Sequence, residues 1–487
     1  MKKRGSKRKP KGRCPRCAEL EKRVRQLEEK LALNSQNSSI SPSKDPLNAP
    51  PRPPKKATGR RRGGQPGHQG SQRELLPPDA VDELGEYVPE HCEHCRSRLL
   101  SQRRRDDPPP TRHQVFELWD KPFVVTEHQA HARSGADCGK MTRAAIPLEF
   151  RSAFGPRLVA AMAPLSGVVK ASRRATQEFV EDLLGIPISL AAVSNLEAEV
   201  SASLAEAHAE AGEALRDAPR KNVEETGWKQ AGKKRWLWTA ATSLVAFFVI
   251  HERRGKGGFF ALLQKIRGIF TTDRWHVYAS IKTRNRQVCW AHLKRDFKRV
   301  AERGGKAGKI GDEALEGTRQ VFWLWRDFKA DVIDRRALKQ CLRPLKSEFR
   351  SVLERGVELR MEKVSVFCEN LLGLEPALWN FAKHDDLEPT NNHAERVLRP
   401  AVLWRKRAFG SDSDRGCRYV ERMLTASATC RLQKRRVFQF LVRSLEAHRA
   451  GNSAPSLVPG RGTVTRRKWS CSESCWVFSS ARRSSAH

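Results

Sequence analysis

Hydrophobic positions recur at helical spacing between residues 151 and 215. Apolar residues repeat every three or four positions through LVAAMAPLSGVV and again through ATQEFVEDLLG, which predicts amphipathic helices. Pro156 suits a first helical turn, Gly185 suits a helix end, and Ser189 suits the cap of the next helix. Two helices joined by a glycine turn are compatible with a DNA-reading unit. Plain packing of helices within the protein is the alternative.

The pattern changes in the next part of the chain. Residues 236–250 are rich in Trp, Val, Phe and Ile and follow a turn at AGKKR, which predicts a buried β-hairpin. A further strand is predicted in GIFTTDRWHVY, ending before Asp273, and an amphipathic helix over residues 289–300. The stretch from about 311 to 380 is helical, and a last helix carries Glu395.

The N-terminal pattern predicts a short heptad seam. Leu20, Val24, Leu27 and Leu31 lie between charged residues at spacings of four, three and four. Two heptads are marginal alone, so a dimerising coiled coil and a helix that packs on its own protein both stay open. Residues 34–70 are polar and rich in Pro and Gly, which predicts a flexible linker whose basic tract either touches phosphates or stays solvated.

Charge narrows the class of partner. The chain of 487 residues has 92 Lys and Arg against 55 Asp and Glu, a formal net charge of +37. Such a balance predicts a polyanion as partner, with nucleic acid favoured over a membrane surface. The longest apolar run, residues 240–250, is about half of the roughly 20 residues that a bilayer span needs. We therefore expect a cytoplasmic, nucleoid-associated protein with no membrane contact, no secretory signal and reduced cysteines.

Cysteine spacing raises a zinc hypothesis. The segment HCEHC provides Cys92 and Cys95, and GADCGK provides Cys138 some forty residues later. Two complete C-x-x-C pairs are typical of a structural zinc site, but Gly135 stands where the partner of Cys138 is expected. A Zn²⁺ site completed by a nearby histidine and cysteines that only pack are both open.

Three carboxylates are candidates for a phosphoryl-transfer site. Glu224 and Asp273 are expected at strand ends and Glu395 on a helix. Two Mg²⁺ ions held by such oxygen ligands activate an attacking oxygen and stabilise a leaving one. The alternative is that each carboxylate is solvated on the surface.

Basic residues follow the third carboxylate. They are candidates for contact with the DNA backbone, and the tryptophan among them is a candidate for stacking on a displaced base. A solvated helix face is the alternative. These residues are Arg396, Arg399, Arg405, Lys406 and Trp404.

Six segments of the chain, in order, are GGQPGHQG, EETGW, GIFTTDRWHVY, CWAHLKRDF, EPTNNHAERVLRP and TCRLQ. Together they resemble the transposases of the insertion sequence 66 family, and the resemblance runs from about residue 20 to 447. It implies an α/β protein whose ribonuclease H-like catalytic core is interrupted by a helical insertion. It also implies Mg²⁺-dependent cutting and joining of DNA ends.

The resemblance assigns roles by position. Glu224, Asp273 and Glu395 fall on the three catalytic and Mg²⁺-binding carboxylates of a DDE-type enzyme. Three further residues fall in the same motifs as supporting residues: Asn391, Asn392 and His292. For His292, a hydrogen-bonded core histidine is an equal alternative to a role in the active-site helix.

The chain departs from the family pattern at the first carboxylate. The family has Asp-Glu-Thr-Gly, whereas Glu224 begins Glu-Glu-Thr-Gly here. The extra methylene moves the carboxylate by roughly 1.5 Å, and a misplacement of about 1 Å can lower a rate by about a hundredfold. Together with Gly135 and an aperiodic tail from about Gly460, this favours a degenerate copy over a rearranged working site.

Pattern and resemblance together predict eight segments. They are a basic N-terminus with a short coiled coil (1–35), a disordered linker (36–74), a zinc-finger-like region (75–148), a helix-turn-helix-like DNA-binding region (149–215), the first part of the catalytic core (216–310), a helical insertion (311–385), the last part of the core (386–450) and an unrelated-looking disordered tail (451–487).

The expected function is that of a DNA transposase. We expect it to bind the terminal repeats of its element in double-stranded DNA, to cleave a strand with water and to transfer the freed 3′-hydroxyl to a target. A catalytically impaired DNA-binding relic is the alternative, and an RNA-binding or nuclease protein of the same fold is a weaker third. The resemblance also implies a homo-oligomer in the synaptic complex and small accessory proteins of the same element.

Overall fold

The computed structural model describes residues 150–458 without a gap, much of residues 75–147, and Arg16, Glu19, Leu20, Arg23 and Val24. These residues belong to two compact units, Pro50–Thr126 and Met1–Ala49 with Glu127–His487.

Several sequence predictions fall on the N-terminal part of the chain. Leu20 and Val24 of the heptad seam are exposed, whereas Leu27, Leu31 and the linker 36–74 lie outside the described residues. The coiled coil therefore stays a prediction.

The smaller unit contains a short 3₁₀ helix at Pro78–Ala80. Gln114 fixes the segment before it, because its side-chain oxygen accepts a hydrogen bond from the Leu76 N–H at 2.8 Å. Cys95 of the zinc hypothesis is exposed, with its sulfur 3.0 Å from the Ser97 hydroxyl. Cys92 and Cys138 lie outside the described residues, so the zinc site stays a prediction.

Two sheets occur among the described residues of the larger unit. A two-stranded antiparallel ribbon consists of β1 (Ala132–Ser134) and β2 (Met141–Arg143). The main sheet consists of β3 (Arg220–Gln230), β4 (Lys233–Ala241), β5 (Ala246–His251), β6 (Ile269–Thr272) and β7 (Arg286–Val288). Its strand order is β5-β4-β3-β6-β7. Strands β3, β4 and β5 are antiparallel neighbours, and β6 and β7 run parallel to β3.

The predicted hairpin becomes two consecutive hairpins. Ala231 and Gly232 both have positive φ angles, 46° and 75°, as the two central residues of a type I′ turn require. They join β3 to β4. A second turn follows β4, where the Thr242 hydroxyl accepts a hydrogen bond from the Val245 N–H at 3.0 Å. The last five residues of β4 are all buried, so this strand is covered on both faces.

Thirteen α-helices occupy residues 150–458: α1 (Pro156–Pro164), α2 (Arg173–Leu184), α3 (Leu190–Ser203), α4 (Ala205–Asp217), α5 (Lys256–Leu263), α6 (Trp290–Ala301), α7 (Gly305–Lys329), α8 (Arg335–Glu358), α9 (Glu362–Gly373), α10 (Glu375–Leu378), α11 (Asn392–Ala408), α12 (Asp414–Leu432) and α13 (Val437–Arg449). Across the described residues, no helix combines the length and the apolar character that a bilayer span needs.

The predicted helix boundaries between residues 151 and 215 are confirmed. Pro156 is the first residue of α1. Gly185 ends α2 with a φ of 63°, the left-handed conformation that glycine adopts without strain. The Ser189 hydroxyl caps α3 by accepting a hydrogen bond from the Ala192 N–H at 3.1 Å.

The part of the larger unit that the structure describes contains two hydrophobic cores. In the first, side chains of β3–β6 pack with helices α1–α5 and α11–α13. In the second, β7 and α6 pack with α7–α10. The mixed sheet and the surrounding helices make this an α/β protein.

The long helical segment returns to the sheet through a set of hydrogen bonds. The Leu378 carbonyl accepts from the Gln287 side chain at 3.0 Å and from the Trp290 indole at 2.8 Å. Asn380 donates to the Arg286 carbonyl at 2.7 Å. These contacts tie the end of α10 to β7 and to the start of α6, the elements that position the site described below.

Helices α6 and α7 approach so closely that only glycine fits at position 311. A Cβ there would overlap the backbone of Ala301. We expect Gly311→Ala to lower the free energy of unfolding by about 1–3 kcal/mol, since the two helices must separate. Thermal or denaturant unfolding measures the change.

Gly373→Ala is the matched control, because a Cβ at this helical glycine meets nothing within 4 Å. We expect no loss of stability from it, or a small gain from the higher helix propensity of alanine. An unchanged unfolding midpoint for Gly311→Ala would contradict the close approach of the helices.

Candidate active site

Glu224 lies in the interior of β3. The prediction that it lies at a strand end is therefore wrong. The pairing of β3 with β6 stops at Asn222, whereas its pairing with β4 continues to Gln230. Glu224 is therefore two residues past the end of the parallel part of the sheet. The long hairpin with β4 extends the strand beyond this position.

Asn391 holds the Glu224 side chain. Its amide nitrogen donates to Glu224 Oε2 at 2.7 Å and to the Val223 carbonyl at 2.8 Å. Its amide oxygen accepts from the Asn222 side chain at 3.0 Å, and its backbone N–H donates to Cys289 Sγ at 3.0 Å. Asn391 is fully buried, so these contacts connect β3 rigidly to the start of α11.

Asp273 directly follows β6, at the predicted strand end. Its carboxylate accepts a hydrogen bond from the Trp275 N–H at 2.9 Å, and Arg286 donates to its backbone carbonyl at 2.8 Å. Burial raises the pKa of Asp273 to about 6, and the charge of Glu225 adds to the increase. The Trp275 N–H, Arg254 and Arg286 act in the opposite direction.

Glu395 lies in the first turn of α11, close to His292 on α6. Glu395 Oε1 is 3.5 Å from His292 Nδ1 and 3.7 Å from the Arg295 guanidinium. Burial, and then the charge of Arg295, lower the pKa of His292 to about 3, so its imidazole is neutral at physiological pH. Asn392, the other predicted supporting residue, is the first residue of α11.

Burial and the neighbouring carboxylates together raise the pKa of Glu224. Burial raises the pKa of Glu224 well above its usual range, and the nearby charges of Asp273, Glu225 and Glu395 raise it further. The hydrogen bond from Asn391 acts in the opposite direction. A bound cation would relieve this repulsion, because an opposite charge favours the ionised form.

The donor atoms fit a divalent cation. Single ligand atoms of Glu224, His292 and Glu395 all lie within 4.8 Å of one another. His292 Nδ1 and Glu395 Oε1 are buried without any hydrogen-bond partner. Asp273 is not one of these three residues, although its charge raises the pKa of Glu224.

Glu225 faces the opposite side of β3 and forms a second polar cluster. Its carboxylate accepts from the Tyr278 hydroxyl at 2.6 Å and from Arg254 at 2.9 Å. The Arg254 guanidinium lies over the Trp275 ring at 4.0 Å from the ring centre. Burial, and then the charge of Glu225, raise the pKa of Tyr278 well above its usual range, so the phenol stays a donor.

This second cluster was not predicted. Glu225 is the second residue of the segment EETGW and Tyr278 lies within GIFTTDRWHVY, but their pairing joins residues 53 positions apart. Successive residues of a strand point to opposite faces, so Glu224 and Glu225 must face different sides of β3. This inference requires knowing that the strand continues through both residues.

The predicted DNA-binding residues on α11 differ in exposure. Arg396, Arg399 and Lys406 are exposed. Arg405 is half-buried and donates to the Thr226 hydroxyl at 2.9 Å and the Gly227 carbonyl at 2.7 Å, so it holds α11 to β3.

Trp404 does not fit the predicted stacking on a displaced base. Its side chain is 7% exposed and packs edge-on against Trp228 and Tyr419. Lys170 lies over its ring, 4.1 Å from the ring centre. The prediction was wrong because α11 turns this position towards the first hydrophobic core.

The raised pKa of Asp273 predicts a stability change with pH. A carboxyl group whose pKa rises on folding stabilises the fold while it is protonated, and this contribution is lost as the pH rises through about 6. We expect the Tm of metal-free protein to fall over this range. Asp273→Asn should reduce the fall and raise the Tm at pH 7, since the uncharged amide needs no ionisation.

Differential scanning calorimetry at several pH values checks this, with Asp312→Asn as a control on the exposed side of α7. The control should keep the Tm and pH profile of the wild type. A lower Tm at pH 7 for Asp273→Asn than for the wild type would contradict the burial of this carboxylate.

Comparison with known proteins identifies two family matches. Residues 151–419 match the family model described as Transposase IS66 family. This match spans more than half of the chain and includes all three candidate carboxylates. Residues 14–74 match a second model, described as a family of unknown function (DUF6444). No curated protein matches the chain.

Proposed function

The chain belongs to the IS66 family of transposases, and we propose that it binds the terminal repeats of its own element and cleaves and joins DNA strands at the site on β3. Glu224, Asp273 and Glu395 are the proposed catalytic carboxylates. Cleavage uses water as the attacking group, and strand transfer uses the 3′-hydroxyl that cleavage frees.

The convergence of these carboxylates carries the proposal. They come from β3, from the end of β6 and from α11, yet the charges of Asp273 and Glu395 both raise the pKa of Glu224. Carboxylates brought together in a partly desolvated site repel one another unless they meet a cation, and the formal net charge of +37 favours a polyanion as partner. Divalent ions between the carboxylates and a DNA phosphate would neutralise the negative charge of both groups.

Hydrogen bonds orient two of the proposed catalytic carboxylates. Asn391 orients Glu224 through its amide nitrogen, and the Trp275 N–H orients Asp273. Two Mg²⁺ ions bound by the carboxylates would supply an activated attacking oxygen and a stabilised leaving oxygen. Placement within strand β3, directly after strand β6 and in the first turn of α11 keeps the three carboxylates within the small tolerance that phosphoryl transfer requires.

The proposed core is ribonuclease H-like. The supporting observation is a mixed sheet whose first strand, β3, pairs with an antiparallel hairpin on one side and parallel strands on the other. The proposed insertion is residues 311–385, which contain most of α7 and all of α8–α10. The remaining segment boundaries, including a DNA-reading role for α1–α4, are proposed as they were predicted from the sequence.

One specific observation favours a second candidate, an inactive DNA-binding relic. Glu224 replaces the aspartate of the family pattern and extends its carboxylate to Asn391, a distance of 2.7 Å. If the longer side chain places the carboxylate too far from the catalytic position, the protein binds DNA without cleaving it. Such a protein would occupy element ends and interfere with active relatives.

The proposed partners follow from the reaction. They are double-stranded DNA at the element ends and the target, a second copy of the chain in the synaptic complex, and small accessory proteins of the same element. The proposed location is the cytoplasm, in association with the nucleoid.

We expect Asp273→Asn and Glu395→Gln to abolish cleavage while DNA binding is kept. Each change removes a carboxylate charge with almost no change of shape. Cleavage of labelled terminal-repeat DNA with Mg²⁺ or Mn²⁺, beside a gel-shift measurement, tests this. Cleavage by either variant would contradict the assigned triad.

Glu224→Asp distinguishes the two candidate functions. We expect it to raise the cleavage rate, because the shorter side chain draws the carboxylate back by roughly 1.5 Å towards the position of the family's aspartate. The same assay measures the rate relative to the wild type. A lower rate would mean that the glutamate has the working length, with Asn391 as its anchor.

Arg399→Ala tests the role of α11 in DNA binding. We expect weaker binding to all sequences and a decrease of about 1 in the slope of log affinity against log salt, because one phosphate contact is lost. Arg336→Ala on α8, also an exposed arginine, is the control and should keep the wild-type slope. An unchanged slope for Arg399→Ala would exclude this contact.

A further inference from the structure

Two buried polar atoms of the site lie close together, and neither has a hydrogen-bond partner. Among the described residues, six buried side-chain nitrogen or oxygen atoms lack a hydrogen bond. Four of these belong to Trp or Arg, which can only donate. The other two, His292 Nδ1 and Glu395 Oε1, can both accept or bind a metal ion, and they lie 3.5 Å apart.

The separation of these two atoms matches two ligands of one ion. A direct hydrogen bond between a neutral imidazole N–H and a carboxylate would bring them to about 2.8 Å. Two ligand atoms about 2.1 Å from a shared metal ion, at a tetrahedral angle, lie about 3.4 Å apart. The observed 3.5 Å agrees with the second arrangement.

Glu224 completes a set of three donors. One carboxylate oxygen of Glu224 lies within 4.8 Å of the donor atoms of His292 and Glu395. The hydrogen bond from Asn391 to Oε2 holds the Glu224 side chain in this position. The donor set is therefore one imidazole nitrogen and two carboxylates.

The backbone around His292 is firmly anchored. Cys289, just before α6, donates its N–H to the Thr272 carbonyl at 2.9 Å, and the Trp290 N–H donates to the Pro389 carbonyl at 2.9 Å. These bonds join the start of α6 to β6 and to the segment that leads into α11. The helix that carries His292, α6, is therefore tied by a hydrogen bond to the segment before α11, which carries Glu395.

We propose that His292 binds, through Nδ1, the divalent ion that Glu224 and Glu395 hold, so that this position prefers Mn²⁺, Co²⁺ or Zn²⁺ to Mg²⁺. Imidazole nitrogen suits these transition metals, whereas Mg²⁺ favours a shell of oxygen atoms. That this ion is the catalytic one rests on the proposed function. The position served by Asp273 keeps oxygen ligands, which makes the two metal positions unequal.

Pulsed electron paramagnetic resonance of Mn²⁺ bound to the full chain tests the proposal. We expect a nitrogen coupling from a directly bound imidazole in the wild type. His292→Asn puts an amide near the position of Nδ1, and His292→Phe keeps a ring without a ligand. Both should lose the coupling, and Mn²⁺ affinity should fall at least about tenfold, the lower end of the cost for outer-shell partners.

His292→Asn provides a second readout, because its amide oxygen is a ligand that Mg²⁺ accepts. We expect this variant to lose more affinity for Mn²⁺ than for Mg²⁺, so that the preference for Mn²⁺ decreases in competition titrations. His448→Asn, at an exposed histidine near the end of α13, is the control and should keep the coupling and both affinities. Circular dichroism confirms that each variant is folded.

A nitrogen coupling that is absent from Mn²⁺-loaded wild type, or that persists in both His292 variants, would overturn the assignment. The cleavage assay separates this result from a failure of the proposed function. Cleavage without the coupling would leave the transposase proposal intact and remove His292 as a ligand. The coupling without cleavage would keep His292 as a ligand and favour the inactive relic.

Discussion

The burial of several carboxylates around one strand is the constraint on which the site depends. Glu224 and Asp273 both have raised pKa values, with burial as the largest cause. Such a cluster stays in place only when other groups hold each carboxylate. Asn391 and the Trp275 N–H provide these contacts. The charge repulsion that remains is the driving force for binding a cation.

Strand β3 separates the proposed chemistry from its structural support. Its alternation directs Glu224 towards Asn391 and Glu225 towards Arg254 and Tyr278 on the other side. Glu225 is nevertheless close enough to raise the pKa of both Glu224 and Asp273. The two clusters are therefore linked electrostatically through the strand. Trp275 also joins them directly, because its N–H donates to Asp273 and its ring lies under the Arg254 guanidinium.

The helical segment α7–α10 also contributes to the precision of the site. Its end returns to β7 and α6 through the Leu378 carbonyl, which accepts from Gln287 and Trp290. The chain then reaches Pro389, whose carbonyl accepts from the Trp290 N–H, and enters α11. Since α6 carries His292 and α11 carries Glu395, the packing of this segment sets the relation between the two side chains.

The sequence by itself determined the local features: the helix periods, the caps at Gly185 and Ser189, the strand before Asp273 and the excess of positive charge. These depend on neighbours a few residues apart. Only the tertiary structure decided that Glu224 lies inside a strand, that Trp404 is buried, and that Asn391 contacts a residue 167 positions away. Such contacts depend on strand order and helix packing, in which residues distant in sequence meet, and no local pattern encodes their distances.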